Sequence, residues 1–325
     1  MDFLKDRFER RLNYVRISIT DRCNYRCLYC MPEEGIKWIP HDRIMTYEEI
    51  LFLAQVLKGL GVEKIRFTGG EPLVRKGFFP FLDTFSASVP GVRTVLTTNG
   101  SLISQYIDEI KWSGLSGVNV SLDTLDEALF RFITRGGRLQ DVIEGVGLLS
   151  ERTEIPIKIN TVLMKGVNDG EVEALLDFAK SHRAVLRLIE FMPLDDSVWK
   201  GDLFIPASVI FQKLPDPDKW ERLDYSSDHG AGPARYYRNS STGQEFGLIE
   251  AVSHHFCDSC NRLRVSATGI MRPCLFSEEG VFLRPALLSG NAAEVKALVV
   301  RAVSSKPGSY NQARSGAMHM SRIGG

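Results

Sequence analysis

The stretch Cys23-Asn24-Tyr25-Arg26-Cys27-Leu28-Tyr29-Cys30 sets three thiols at C-x3-C-x2-C spacing directly after an apolar, β-branched run, Val15 to Thr20. Three thiolates on one short loop can converge on one soft metal centre. Iron–sulfur clusters and zinc are the usual occupants of such thiols, and both normally take four protein ligands where the site is only structural. Here the local count stops at three. A four-iron cubane held by three cysteines leaves one iron open to another ligand, by the logic that makes an open coordination position the mark of a catalytic metal site. A zinc knuckle completed by a distant residue and a disulfide are the alternatives.

Outward from this loop, short β-branched runs recur at Lys64 to Thr68, Thr94 to Thr97, Gly117 to Ser121, Ile157 to Val162 and Val185 to Phe191. Segments with helical spacing lie between them: Thr46 to Gly59, Phe78 to Ser88, Ser104 to Trp112, Leu139 to Arg152 and Gly170 to Ser181. Several open on a capping residue, as Thr46 does ahead of Glu48 and Glu49. Strand alternating with helix six times predicts a parallel sheet with right-handed crossovers, open or partly rolled. The polar residues that packing does not explain fall at one place in each unit, the carboxyl end of the strand. These are the cysteine loop, Gly69-Gly70-Glu71-Pro72, Thr97-Thr98-Asn99-Gly100, Ser121-Leu122-Asp123, Lys158 with Asn160, and Glu190 with Met192. Ligands bind at that edge in parallel α/β sheets and barrels.

The 325 residues carry forty basic and forty acidic side chains, which cancel. A neutral chain has no general electrostatic footprint for nucleic acid or membranes, so an anion site must be a local cluster of Arg or Lys. No run of about 18 apolar residues exists and Met1 to Arg11 is charged, so the chain reads as cytoplasmic. The six cysteines fall into two tight triplets, which argues for metal and against staples.

Between about Pro193 and Gly243 prolines and glycines accumulate, and only brief periodic stretches such as Ser208 to Leu214 remain. The reading is a larger first domain over 1–230 and a smaller second one over 231–325, with a last helix around Pro285 to Ser304. The second domain carries Cys257, Cys260 and Cys274, a C-x2-C-x13-C triplet again without a fourth thiol. His254 or His255 could complete a zinc site there. Against that reading stands Arg262-Leu263-Arg264, whose two guanidiniums on alternate positions of an extended segment would point the same way and suit phosphates.

Gly69-Gly70-Glu71-Pro72 by itself is a tight turn whose glycines allow close backbone approach to a ligand. Arg16, Arg66 and Lys158 are charged residues inside strands that otherwise read as buried, and buried cations are rare without a partner. Either they pair with Glu71, Asp123 or Glu190, or they line a basic lumen for an anionic substrate with several phosphates.

C-x3-C-x2-C followed by Met31-Pro32, and Gly-Gly-Glu-Pro at the next strand end, resemble the motifs of radical S-adenosylmethionine enzymes. With the second triplet Cys257-Asp258-Ser259-Cys260-Asn261-Arg262-Leu263-Arg264, the later Cys274 and a terminal Gly324-Gly325, the chain resembles the GTP 3′,8-cyclase (MoaA-type) family of molybdenum cofactor biosynthesis. The resemblance implies an α/β fold, an incomplete (β/α)6 TIM-like radical SAM barrel with a smaller C-terminal domain, and two [4Fe-4S] clusters at opposite ends of a channel. It implies Cys23, Cys27 and Cys30 as ligands of the cluster that binds S-adenosylmethionine, with Tyr29, Gly70, Ser121 and Met192 as binding residues for that cofactor. Cys257, Cys260 and Cys274 would hold the second cluster, whose free iron faces the purine. Arg16, Arg66, Thr97, Lys158, Arg262, Leu263 and Arg264 would bind GTP, and Gly324-Gly325 would reach into the catalytic mouth.

The implied reaction is abstraction of the ribose 3′-hydrogen of GTP by a 5′-deoxyadenosyl radical and attack on guanine C8, giving 3′,8-cyclo-7,8-dihydro-GTP. An electron donor of flavodoxin or ferredoxin type, hand-off of the product to cyclic pyranopterin monophosphate synthase, and a monomer or homodimer are the partner expectations. Two rivals carry the same thiols: a peptide-modifying radical enzyme with an auxiliary cluster, which normally has more cysteines near its carboxyl end, and a non-catalytic iron–sulfur or zinc protein.

Overall fold

A computed structural model describes residues 3–193, 201–224, 232–277 and 279–312. Six strands alternate with helices as predicted: β1 (Tyr14–Ser18), β2 (Lys64–Thr68), β3 (Arg93–Thr98), β4 (Val118–Ser121), β5 (Ile157–Leu163) and β6 (Ala184–Glu190). They lie side by side in chain order and all pair in parallel. The connecting helices are α1 (Tyr47–Gly59), α2 (Phe78–Ser88), α3 (Ile107–Trp112), α4 (Glu127–Thr134), α5 (Leu139–Arg152) and α6 (Val172–Ser181).

The helices start where local chemistry lets them. Thr46 and Glu49 form a reciprocal capping box at α1. The strand alternation sends one set of side chains to the helices and the other to the concave face. On β2, Phe67 meets Phe78, Phe81 and Phe85 of α2 edge-on, with ring centroids 5.9, 5.4 and 5.2 Å away. Those three positions share one helix face, and each such aromatic pair adds about 0.5–1.5 kcal/mol beyond its buried area. Arg66, between Ile65 and Phe67, therefore has to face the other way.

Short strands and helices follow: α7 (Ala207–Gln212), β7 (Trp220–Arg222), β8 (Arg235–Asn239), β9 (Glu245–Ile249), β10 (Arg262–Val265), β11 (Ile270–Arg272), β12 (Val281–Phe282), α8 (Arg284–Leu288) and α9 (Ala292–Ser304). These strands do not build a separate sheet. They extend the first one at both edges, β9 pairing in parallel with β6 and β10 in parallel with β1, in the order β12-β11-β10-β1-β2-β3-β4-β5-β6-β9-β8-β7.

Two local expectations need correcting and one helix is added. The last helix is two, α8 and α9, because Gly290 takes φ +67° between them. Ser104–Tyr106 is a 3-10 turn leading into α3. The added helix is α4, whose eight residues are started by Asp126, its carboxylate accepting from Leu129 N. Among the described residues no helix is long and apolar enough to cross a membrane.

Candidate active site

Parallel register lines up the polar residues of the concave face in rows. Arg264 of β10, Arg16 of β1 and Arg66 of β2 are successive partners. So are Thr97 of β3, Asn119 of β4 and Lys158 of β5. The third row is Ser121, Asn160 and Arg187 across β4, β5 and β6. Strands on both flanks contribute to one cavity of about 220 Å³, lined by Arg264, Arg16, Arg66, Thr97, Ser121 and Arg187 among others, so the sheet is curled around it. Lys158 lines an adjoining space of about 90 Å³ with Lys64 and Arg93 at the amino ends of the strands, and Arg66 and Arg187 border both spaces.

The rim of the larger cavity takes residues from every strand end: the cysteine loop with Tyr29, Gly70, Asn99, Ser121, Val162 and Met192. Arg262 also lines it, whereas the Leu263 side chain between the two arginines is buried in the apolar core. Gly324 and Gly325 lie outside the described residues.

The electrostatics are those of a place prepared for negative charge. Burial and mutual repulsion hold Arg66, Arg187 and Arg264 below the ordinary guanidinium range and bring Arg16 down to about 10. Lys158 falls to about 6, through burial and then through Arg187, Lys64 and Arg66. Nε of Arg16, Arg66 and Arg187 is buried without a hydrogen-bond partner among the described residues.

Nor are the nearby carboxylates their partners. Glu71 accepts from Leu73 N, Thr98 Oγ1 and Asn99 N at 2.9, 2.8 and 2.6 Å. Asp123 accepts from Tyr29 Oη at 2.7 Å and Val162 N at 2.8 Å. Glu190 accepts from Ala207 N, Val252 N and Ser253 N. Burial pushes Glu71 up to about 7 and Asp123 to about 6.

Gly69 and Gly70 are required by the protein's own backbone and also line the cavity. A Cβ on Gly70 would stand 2.2 Å from Arg22 O, and one on Gly69 2.4 Å from Thr20 O. Gly70 N and Glu71 N donate to Thr20 O and Arg22 O at 2.8 Å each, stitching this turn to the segment that enters Cys23. On its other side the cysteine loop is held by α4, with Arg26 N donating to Thr134 O and Leu28 N to Ile133 O.

Family models match the chain in two consecutive parts: the radical SAM superfamily over residues 17–179, and molybdenum cofactor synthesis C over 184–312. A GTP 3′,8-cyclase of Thermodesulfovibrio yellowstonii is 41% identical over 99% of this chain and 100% of its own length. One of Geobacter sulfurreducens is also 41% identical, over 99% of each chain. This chain belongs to the GTP 3′,8-cyclase family. Among solved structures, the fold is shared with Streptococcus suis SuiB, at TM-score 0.63 and 14% identity over 87% of this chain and 67% of that one.

As a member of the GTP 3′,8-cyclase family the chain is a radical SAM enzyme, and its thiols suit the [4Fe-4S] clusters that such enzymes use. None of the six cysteines forms a disulfide. His255 is stacked on Tyr310 with centroids 4.3 Å apart, and His254 Nδ1 lies 3.0 Å from Glu250 Oε1, so both candidates for completing a zinc site are turned to other partners. Among the described residues no three His, Cys, Asp or Glu side chains close on a single-ion position. Ligands of a cubane, each on a different iron, stand farther apart than the ligands of one ion.

The two triplets differ electrostatically. Burial pushes the Cys23 thiol up to about 11 and Cys27 well above the ordinary range, so metal binding there must displace protons. Burial also raises Cys260, but Arg262 and Lys306 overturn this and bring it down to about 6.

Asn160 joins the site as one of the strand-end polar residues, whereas Arg187, Asn119, Lys64 and Tyr14 are members of it that the sequence reading of this GTP 3′,8-cyclase family chain does not include. Arg187 carries the same signal as Arg16, a cation inside an apolar strand, in Ala184-Val185-Leu186-Arg187-Leu188-Ile189. It hydrogen-bonds Asn119 Oδ1. Tyr14 lies among Arg66, Arg16 and Lys64, which outweigh its burial and lower it to about 7.

Proposed function

We propose that this chain converts GTP to 3′,8-cyclo-7,8-dihydro-GTP, the first step of molybdenum cofactor biosynthesis. Family membership over the full length supports the reaction, and the row Arg264–Arg16–Arg66 facing the cavity is the observation that carries the substrate. In this reading Cys23, Cys27 and Cys30 hold the cluster that binds S-adenosylmethionine, and Cys257, Cys260 and Cys274 hold the second. Bound there, the clusters and S-adenosylmethionine supply the radical chemistry that removes the ribose 3′-hydrogen and joins C3′ to C8.

The protein's part is to bind, orient and keep water out. Arg16, Arg66, Arg187, Lys158, Arg262 and Arg264 take the phosphates as charge-assisted donors, which gives Nε of Arg16, Arg66 and Arg187 an acceptor. Tyr29, Gly70, Ser121 and Met192 face S-adenosylmethionine at the rim, and Thr97 and the backbone of Leu263 complete the GTP side. The tail Gly324-Gly325 would enter the mouth. The division at residue 230, a flavodoxin- or ferredoxin-type donor, hand-off to cyclic pyranopterin monophosphate synthase, a monomeric or homodimeric state and a cytoplasmic location complete the proposal.

The deciding experiment is anaerobic reconstitution followed by mass-spectrometric product analysis with GTP, S-adenosylmethionine and a reductant. The expected product is 3′,8-cyclo-7,8-dihydro-GTP together with 5′-deoxyadenosine. 5′-Deoxyadenosine with no nucleotide product would point to a different radical substrate, such as a peptide.

A further inference from the structure

Lys306 is 2% exposed, which is unusual for a lysine, and it belongs to none of the cation rows on the strands. It follows α9 in Ser304-Ser305-Lys306-Pro307. Its Nζ donates to the carbonyls of Arg262 at 2.9 Å and Pro273 at 2.6 Å. Those carbonyls sit on two separate stretches of chain, one leaving Cys260 and one entering Cys274.

The next residue completes the arrangement. Pro307 O accepts from Arg10 Nη2 at 2.7 Å, while Nη1 of the same guanidinium donates to Cys257 O at 2.6 Å. Arg10 is itself fixed by the buried Asp6, Nε to Oδ2 at 2.6 Å. Residues 306 and 307 thus form a node to which the segments of all three thiols are tied.

Neutral donors would satisfy two carbonyls equally well. A buried ammonium costs several kcal/mol in desolvation unless negative charge stands close by. Three thiolates on a [4Fe-4S] cluster leave a net negative charge, which grows when the cluster accepts an electron.

We propose that Lys306 is a positioning residue for the second cluster, holding the Cys260 and Cys274 segments at fixed spacing and keeping a positive charge behind the cluster that favours its reduced form. This rests on the assignment of Cys257, Cys260 and Cys274 as cluster ligands. Nothing in the step consumes or transfers the lysine proton; the charge acts as a fixed field.

The test uses the full-length protein reconstituted anaerobically, as wild type, Lys306→Gln and Lys306→Arg. Iron and sulfide content and the midpoint potential of the second centre are measured, the latter by electron paramagnetic resonance during a redox titration. The second centre's signal is the one that persists when Cys23, Cys27 and Cys30 are all replaced by Ala. Lys306→Gln is expected to keep both centres and to make reduction of the second about tenfold less favourable, a fall of about 59 mV for one electron. Lys306→Arg should recover most of that shift, and 5′-deoxyadenosine formed at the first centre without GTP should not change.

Loss of the second centre in Lys306→Gln with its retention in Lys306→Arg also supports the assignment, through the spacing. An unchanged or raised potential in Lys306→Gln, or equal loss of iron in both variants, overturns it. If the Cys23, Cys27, Cys30 variant holds no iron at all while still folded, the cluster assignment itself fails and the role of Lys306 falls with it.

Discussion

Arg16 and Arg264 are register partners across the parallel β1–β10 pair, so the carboxyl-terminal part of the chain closes on the first strand with guanidinium beside guanidinium. Both face a cavity and both are held below the usual arginine range, first by burial. An arrangement that repels itself when empty is stabilised by an anion that bridges it. The fold therefore stores in this row a cost that nucleotide binding relieves.

Replacing Arg16 by Met should reveal both sides of that balance. GTP affinity should fall about ten- to hundredfold, the equivalent of about 1.5–3 kcal/mol for a charge-assisted contact. The melting temperature of the nucleotide-free protein should rise, since a buried like charge is removed and the aliphatic packing kept. Isothermal calorimetry and thermal denaturation of the same preparations check the two halves separately. A lower melting temperature with unchanged affinity would make the row a structural one.

Lys158 gives the site a pH signature. Its depressed value, about 6, leaves it mostly neutral at pH 7.5 when the cavity is empty, and phosphates beside it would raise it again. GTP binding should therefore take up a proton, and affinity should weaken by up to about tenfold per pH unit between pH 7 and 8.5. Calorimetry in buffers of different ionisation heat measures the uptake directly, and Lys158→Met should remove most of it. For the free protein the sign runs the other way: the folded state holds fewer protons than the unfolded one between about pH 6 and 10.5, so this group's contribution to stability grows across that window.

Much of this site can be read along the chain, because a charged residue in an apolar strand is a local anomaly. Arg16, Arg66 and Lys158 are visible for that reason, and Arg187 offers the same signal. The pairing of Arg264 with Arg16 is different in kind. It depends on a parallel contact between strands from opposite ends of the chain, which no periodicity encodes. Lys306 is likewise invisible, since a lysine after a helix is ordinary until the fold buries it. The six βα units were legible from alternation alone, whereas the addition of β9 and β10 to both edges of one sheet was not, because strands of four or five residues carry little pattern.

Iron content separates the thiol triplets. Each should hold one cubane, giving about eight irons per chain after anaerobic reconstitution. Replacing Cys23, Cys27 and Cys30 together by Ala should roughly halve the iron and abolish 5′-deoxyadenosine, while the Cys257, Cys260, Cys274 counterpart should halve the iron and keep slow S-adenosylmethionine cleavage. Stoichiometric zinc without sulfide in anaerobically purified protein would contradict both expectations.

Gly70 offers a test of whether the Gly-Gly-Glu-Pro turn serves the protein or its ligand. A Cβ there would press into the backbone of Arg22 at 2.2 Å for O and 2.5 Å for C, neither of which can move without shifting the segment that enters Cys23. Gly70→Ala should therefore destabilise the fold by about 1–3 kcal/mol, the usual cost of overpacking. It should also loosen the first triplet, so that iron bound there is lost to a mild chelator while iron at Cys257, Cys260 and Cys274 stays. Gly170→Ala is the control, because nothing lies within 4 Å of a Cβ at that position and its backbone is not in the left-handed region; it should stay within about 0.5 kcal/mol of wild type. Denaturant melts and iron counts before and after chelation read both effects. Wild-type stability and iron in Gly70→Ala, with S-adenosylmethionine affinity alone reduced, would instead mean that the backbone can yield and that the glycine is there for the ligand.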